Sequence, residues 1–271
     1  LAAVGETVLQ IGGMINIGLE GSMLCSAFFG MLASHQFHNG WVGLVAGILA
    51  GVLTNMTFGG FTILLGADQV VVGTAINLLC LGLTSTLYRT EFGQSGQLLS
   101  VDRLPSWSGI DPLMLTLLVG VFGSWFLIRR TGWGLALRAA GEFPQAVKAS
   151  GYSVVSLRFQ ALIFSGIFAG LGGAYLSLVI TGSFAESMTA GRGFIAIAMV
   201  TFGRWKPVYV FGASLLIGFA GGLQFWLQGK GWNIPYQLFV ALPYLLALMV
   251  LILVGKGARS PSALAQPFHQ N

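Results

Sequence analysis

The sequence predicts an all-α fold, a polytopic transmembrane helical bundle with about eight membrane segments, and three observations carry that prediction. Only 8% of the 271 residues are charged while 55% are hydrophobic, too little polar surface to cover a domain facing water. Apolar runs near the roughly 20 residues that a ~30 Å hydrocarbon core demands recur along the chain. The 40 glycines follow no triplet period and sit inside those runs, where small residues let membrane helices approach closely.

Dividing the chain at charges, prolines and polar clusters gives segments at residues 12–33, 41–58, 70–88, 113–128, 159–179, 193–202, 208–227 and 234–254. The first is interrupted by Gly12-Gly13-Met14-Ile15-Asn16-Ile17-Gly18-Leu19-Glu20-Gly21, four glycines, an asparagine and a carboxylate in an apolar pattern. A broken or re-entrant element is expected there, its freed backbone groups buried by protein or lining a water-filled path. The second carries Gly43, Gly47 and Gly51 on one helical face, and Gly166/Gly170 and Gly218/Gly222 repeat the spacing. Such faces serve packing within one subunit or between subunits, and the spacing alone does not choose.

The third segment follows Asp68 and Gln69 on an inner loop, and the mixed-charge stretch at residues 89–111 separates it from the fourth. The sixth, residues 193–202, reaches only about 15 Å as a helix. It is a tilted span extended by Thr189 to Gly191, or a half-helix. One transmembrane domain accounts for residues 1–271, ending in a polar tail at residues 257–271 with Pro261 and Pro267 that is expected to fray or lie on the cytoplasmic surface.

Placing residues 129–158 inside forces the other loops to alternate. Arg129, Arg130, Arg138, Lys148, Arg158, Arg204, Lys206, Lys256 and Arg259 then lie inside, and Arg89, Arg103, Arg192 and Lys230 outside, nine against four in the direction of the positive-inside rule. The C-terminus is cytoplasmic and residues 89–111 form an external loop. The net charge of +5 therefore reads as topology, not as a nucleic-acid footprint. Cys25 and Cys80 lie in apolar runs without metal-type spacing and read as small packing residues. The first ten residues lack the basic flank and cleavage pattern of a signal peptide.

Catalytic chemistry finds no foothold. His35 and His38 share a helical face but lack a third ligand nearby, so no metal is expected. There is no His-Glu-x-x-His, no Gly-x-Ser-x-Gly and no carboxylate spaced to pair with Glu20. Without Gly-xxxx-Gly-Lys-Ser/Thr the chain has no Walker-type nucleotide site, so no cofactor is expected and any ATP must be hydrolysed elsewhere. Glu6, Glu20 and Asp68 are the few acidic groups near membrane segments. Glu20 and Asn16 each admit two readings, a place on a substrate path or support for backbone groups freed at the break.

The inner loop carries a compact helix with recognisable ends. Pro144 suits the first helical position, Glu142 favours the positive end of the dipole, Lys148 the negative end, and Gly151 can stop the helix in a left-handed conformation. At about two turns it cannot persist alone in water. It must rest on something, and its outer side suits a docking soluble subunit.

Three blocks resemble the permease subunits of bacterial ATP-binding-cassette importers for simple sugars and nucleosides, within the branched-chain amino acid type permease superfamily. They are Asn16-Ile17-Gly18-Leu19-Glu20-Gly21-Ser22-Met23-Leu24, then Ala67-Asp68-Gln69-Val70-Val71-Val72-Gly73-Thr74-Ala75-Ile76-Asn77-Leu78, then a run from Ala139-Ala140-Gly141-Glu142 through Thr189-Ala190-Gly191-Arg192-Gly193 to Phe202-Gly203-Arg204-Trp205. Leu242-Pro243-Tyr244-Leu245 extends the likeness toward the end of the chain. The resemblance implies a non-catalytic, multi-pass subunit of the bacterial cell membrane that pairs with an identical or related second permease. It also implies two cytoplasmic ABC ATPase subunits and an external substrate-binding protein as partners.

The short inner helix would be the coupling helix, with Gly141, Glu142, Pro144, Ala146, Lys148 and Gly151 facing the ATPase, and Asn16, Glu20 and Asn77 on the translocation path or supporting the broken helix. Phe143 stands where the family more often has asparagine, and Val147 where it favours alanine. The family also usually has one more hydrophobic helix before the block containing Glu6, which would make residues 6–21 a re-entrant element. The function implied is import of a nucleoside or simple sugar by alternating access. The rival readings are an ion-coupled secondary transporter or channel, which leaves the inner helix unexplained, and an intramembrane enzyme, for which no convergent catalytic set is visible.

Overall fold

The computed structural model describes residues 1–93, 102–104, 112–229 and 259–266, with isolated positions between 237 and 252. Among them there is no strand. The helices in chain order are α1 (Ala2–Ile11), α2 (Leu19–Phe37), α3 (Gly40–Gly59), α4 (Gln69–Phe92), α5 (Pro112–Arg130), α6 (Gly132–Glu142), α7 (Pro144–Ala149), α8 (Val154–Tyr175), α9 (Arg192–Phe202) and α10 (Pro207–Gln228). α3 and α8 run on into π-helical turns over Gly60–Leu64 and Leu176–Thr181.

The starts of these helices are written locally. Asn39 accepts from the Trp41 amide at 2.9 Å ahead of α3, and Asp68 accepts from Val70 and Val71 at 2.8 and 3.0 Å ahead of α4. Thr131 caps α6 through the Gly134 amide and Ser153 caps α8 through that of Ser156.

Five of the described helical stretches are long and apolar enough to cross a membrane: Gly40–Leu64, Gln69–Phe92, Leu113–Arg130, Val154–Thr181 and Pro207–Gln228. They overlap the second, third, fourth, fifth and seventh expected segments, and they make this a multi-pass membrane protein. The eighth, residues 234–254, lies outside the described residues apart from isolated positions. The first and sixth differ from plain spans. Residues 12–33 do not form one helix: α1 stops at Ile11 and α2 starts only at Leu19, then continues to Phe37. α9 has 11 residues and is a short apolar helix.

The core is built on α2, α3 and α8. A Cβ placed on Gly43 would lie 2.6 Å from the Gly30 carbonyl oxygen, and one on Gly51 would lie 2.6 Å from that of Gly166. No side chain fits between these backbones, so the strips on α3 and α8 are spent on packing within the subunit. The opposite face of α3 presents Val45, Leu49 and Leu53 outward at helical spacing. α4 and α10 also turn large apolar side chains outward, among them Val71, Leu78, Leu79, Leu215 and Phe219. Those faces are the ones a bilayer or another membrane subunit covers.

Candidate functional site

Every residue of α1 is buried, and the helix lies on α8 with Gly5 against Ser165 and Phe168. At Gly12 and Gly13 the chain reverses. Gly13 has φ +86°, and an added Cβ there would meet the Ala263 oxygen, Arg158 Nη2 and Gly141 Cα, each at 3.2 Å. Residues 14–17 then return without helical bonding, bringing Asn16 back beside Glu6 and Leu19 into the same apolar cluster as Ala2 and Ala3. The broken element therefore turns back on itself.

An unwound segment inside a membrane protein must find partners for its backbone, and here side chains supply them. Gln69 Oε1 accepts from the Ile15 amide at 2.8 Å, and Glu6 Oε1 accepts from the Asn16 amide at 3.1 Å. Asn77 works in both directions, donating to the Ile17 carbonyl at 2.9 Å and accepting from the Gly21 amide at 2.7 Å. Asn16 Nδ2 donates to Asn55 Oδ1 at 2.9 Å, where Ser22 Oγ also donates at 2.8 Å. Asn55 in turn donates to the Leu162 carbonyl of α8 at 3.3 Å.

Glu20 has a task that spacing alone did not reveal. Its two oxygens accept from the amides of Gly191 and Gly193 at 2.8 and 2.6 Å. These groups open α9, so a carboxylate from the first turn of α2 satisfies the unpaired amides and the positive end of a short helix 171 residues away. Gly191 takes φ +79° there, and a Cβ on Gly193 would lie 2.6 Å from the Glu20 backbone nitrogen. Asn16, Glu20 and Asn77 are thus brought together around one break. Glu20 and Asn77 remain partly exposed while Asn16 is fully buried.

Sequence reasoning missed Asn55, Gln69 and Gln10 as members of this cluster. Asn55 had a signal, an amide inside an otherwise apolar run two residues after Leu53. Gln10 accepts from Trp205 Nε1 at 2.9 Å, pinning the α9–α10 turn to α1. Nothing in the spacing announces that contact.

On the loop at residues 131–153 the short helix α7 starts at Pro144 and gives way at Ser150 to Gly151 with φ +84°, as its signals require. Pro144 and Val147 are buried one turn apart, while Gln145, Ala146, Lys148 and Ala149 face outward. α6, just before it, was not foreseen as a separate helix. Gly141 and Glu142 close α6, and Gly141 packs against the Ile11 carbonyl so tightly that a side chain would collide with it.

The Glu142 side chain is taken up by the C-terminal tail. Its Oε2 accepts from Ser262 Oγ at 2.7 Å and from the Ser262 amide at 3.2 Å. Of the two states expected for the tail, fraying does not apply to the described residues 259–266, because the Ala263 amide donates to the Gly141 carbonyl at 2.8 Å and the Ala265 amide to that of Gly13 at 3.1 Å. Two large aromatics flank α7 in the open, Phe143 at 67% and Tyr152 at 56% exposed.

At the far end of α2, Ser34 Oγ donates to the Asp102 carbonyl at 2.9 Å and His38 Nδ1 lies 3.5 Å from Asp102 Oδ2. Arg89 pairs with Glu186 through two bonds of 2.8 and 3.0 Å. That bond with the guanidinium holds the Glu186 carboxyl below its ordinary range. Among the described residues no three acidic, histidine or cysteine side chains gather as a metal site. Cys25 and Cys80 are free and buried and line a groove of about 500 Å³ between α2, α3 and α4. Its lining is mostly apolar, with Gln36, Thr54 and Thr57 among its polar side chains.

The family model described as branched-chain amino acid transport system / permease component matches residues 1–255. The chain belongs to this permease family. The permease is 31% identical over 297 residues to a guanosine ABC transporter permease protein of Bacillus subtilis, covering 99% of this chain and 92% of that one. It is 31% identical over 287 residues to a nucleoside ABC transporter permease protein of Lactococcus lactis subsp. cremoris, covering 96% and 90%. A putative glucose ABC transporter permease protein of Haloferax volcanii is 32% identical over 243 residues, covering 83% and 72%. No solved structure matches. In the polar cluster the carboxylates of Glu6 and Glu20 hold backbone amides.

Proposed function

We propose that this permease imports a nucleoside across a bacterial cell membrane, and that it does so with a second, identical or related permease, two cytoplasmic ABC ATPase subunits and an external substrate-binding protein. The observation that carries the reading is the near full-length likeness to guanosine and nucleoside permeases. The scarcity of charge in the membrane segments agrees with an uncharged solute, which needs no buried counter-ion.

In this reading residues 1–271 are one transmembrane domain of about eight segments, with residues 89–111 outside and residues 129–158 and 257–271 in the cytoplasm. α7 is the coupling helix. Gly141, Glu142, Pro144, Ala146, Lys148 and Gly151 shape or line the ATPase contact, and the exposed Phe143 and Tyr152 are its aromatic anchors. Closure of the ATPases on ATP pushes α6 and α7, and the helices rock around a path edged by Asn16, Glu20 and Asn77. A short helix capped by Glu20 suits that task, since its first amides are paired within the protein.

The test is purification of the tagged permease from its own membranes. An ABC ATPase should copurify, and guanosine uptake by vesicles holding the complex should require ATP and the binding protein. Unlabelled nucleosides should compete while glucose does not. Uptake by the isolated chain on an ion gradient, with no ATPase present, overturns the reading. Phe143→Ala should lower ATPase retention by about tenfold, the loss of one well-packed aromatic anchor.

A further inference from the structure

The contacts of the tail at residues 259–266 converge on two places that also pack directly against each other. One is the C-terminal end of α6, reached by Ser262 through Glu142 and by the Ala263 amide through the Gly141 carbonyl. The other is the Gly13 turn, reached by the Ala265 amide. Three backbones meet here because the residues are small: Gly13, Gly141 and a buried Ala263. Ala265 adopts φ +62°, a conformation that costs an alanine energy and persists where surrounding contacts impose it.

From Gly13 the line runs on through Met14 and Ile15 to Asn16, which is bonded to Glu6 and Asn55. α6 cannot shift relative to the broken element without either carrying this turn along or breaking the tail's bonds. We propose that Ser262, Ala263 and Ala265 are positioning residues for transport, a strap that carries movement of α6 and α7 to the polar break. The proposal rests on the coupling role given above to α7, and it assigns the C-terminal segment a part in that step.

The strap is tested on the complex of permease, ATPase and binding protein, using uptake per ATP hydrolysed as the readout, because a simple loss of folded complex lowers both quantities together. Ala265→Pro removes the amide that reaches Gly13 and cannot adopt a positive φ. It should lower uptake per ATP by about tenfold, within the range that coupling between two sites normally spans, while ATPase retention and the KM for nucleoside stay unchanged. Ser262→Asp, which sets a carboxylate against Glu142, should give a smaller loss. Ser262→Thr and Ala265→Gly keep the bonds and should keep the coupling.

Release of the segment is read independently as faster tryptic cleavage at the exposed Arg259. Faster cleavage with unchanged uptake per ATP overturns the strap, as does hydrolysis that falls in step with uptake. Should Ala265→Pro not assemble, Ser262→Asp and Ser262→Ala are read in the same way, since Ser262 is exposed. A wild-type complex that retains no ATPase would instead strike at the functional reading, so the variants are read only on complexes that retain it.

Discussion

The glycine strip on α3 and the one on α10 have the same spacing and opposite surroundings. Gly43 and Gly51 face carbonyl oxygens of α2 and α8, each 2.6 Å from where a Cβ would sit, whereas among the described residues an added Cβ on Gly218 or Gly222 would meet nothing within 4 Å. A pattern of small residues therefore marks a face able to pack closely, and only the neighbouring elements decide whether it does. The α3 strip locks the centre of the subunit, while the α10 strip lies on a face that is largely turned outward.

The largest effect should follow from filling the locked strip. Gly51→Val has to push α3 from α8 against backbone atoms, which cannot rotate away as a side chain would. Overpacking of this kind costs about 3 kcal/mol, and the loss of folded protein should be visible in detergent as a lowered unfolding midpoint and poor yield. A Gly51→Val protein that unfolds with the wild type would mean α3 and α8 do not meet at this strip.

Glu20→Gln comes next. The variant keeps the size of the side chain but replaces one acceptor by an NH2 group aimed at an amide donor, at an end of α9 that is positive in any case. Hydrogen bonds to charged groups are worth about 2 kcal/mol, so the start of α9 should loosen. Hydrogen exchange at the Gly191 and Gly193 amides should accelerate well before global unfolding, with a parallel loss of uptake. Protection equal to wild type would show that Glu20 is not what holds α9.

Much of this was legible in the sequence, for reasons that particular residues make clear. The break could be read at Gly12 to Gly21 because glycines and polar groups inside an apolar run have few other uses, and the ends of α7 because Pro144 and Gly151 act on their own backbone. The partners of the break were not legible. Asn55, Gln69 and Gln10 bond to residues 39, 54 and 195 positions away, and no local rule points from one to the other. Glu142 shows the same limit, since nothing local points from it to Ser262, 120 positions away.

On the open strip the expected effect is small. Gly222→Ala adds a methyl group where there is room and removes the conformational freedom that glycine brings to a helix, worth about 0.5–1 kcal/mol in favour of the folded state. The unfolding midpoint should hold or rise slightly. A fall comparable to that of Gly51→Val would erase the contrast between the strips.

The two carboxylates Glu20 and Glu186 repeat the contrast in charge, and the smallest effect is expected at Glu186. Its ion pair with Arg89 is solvent-exposed on both sides, so solvent and salt screen it. The sign of its pH dependence still follows. Because the guanidinium holds the Glu186 carboxyl below its ordinary range, the pair stabilises the fold above the unfolded carboxylate range and loses that contribution as pH falls through the lowered value. Unfolding midpoints of wild type and Glu186→Gln, taken in low salt, should differ slightly at neutral pH and merge in acid. Curves that agree at neutral pH and separate in acid would mean that something other than Arg89 governs this carboxylate, and high salt should close the neutral gap where it leaves the Glu20→Gln deficit intact.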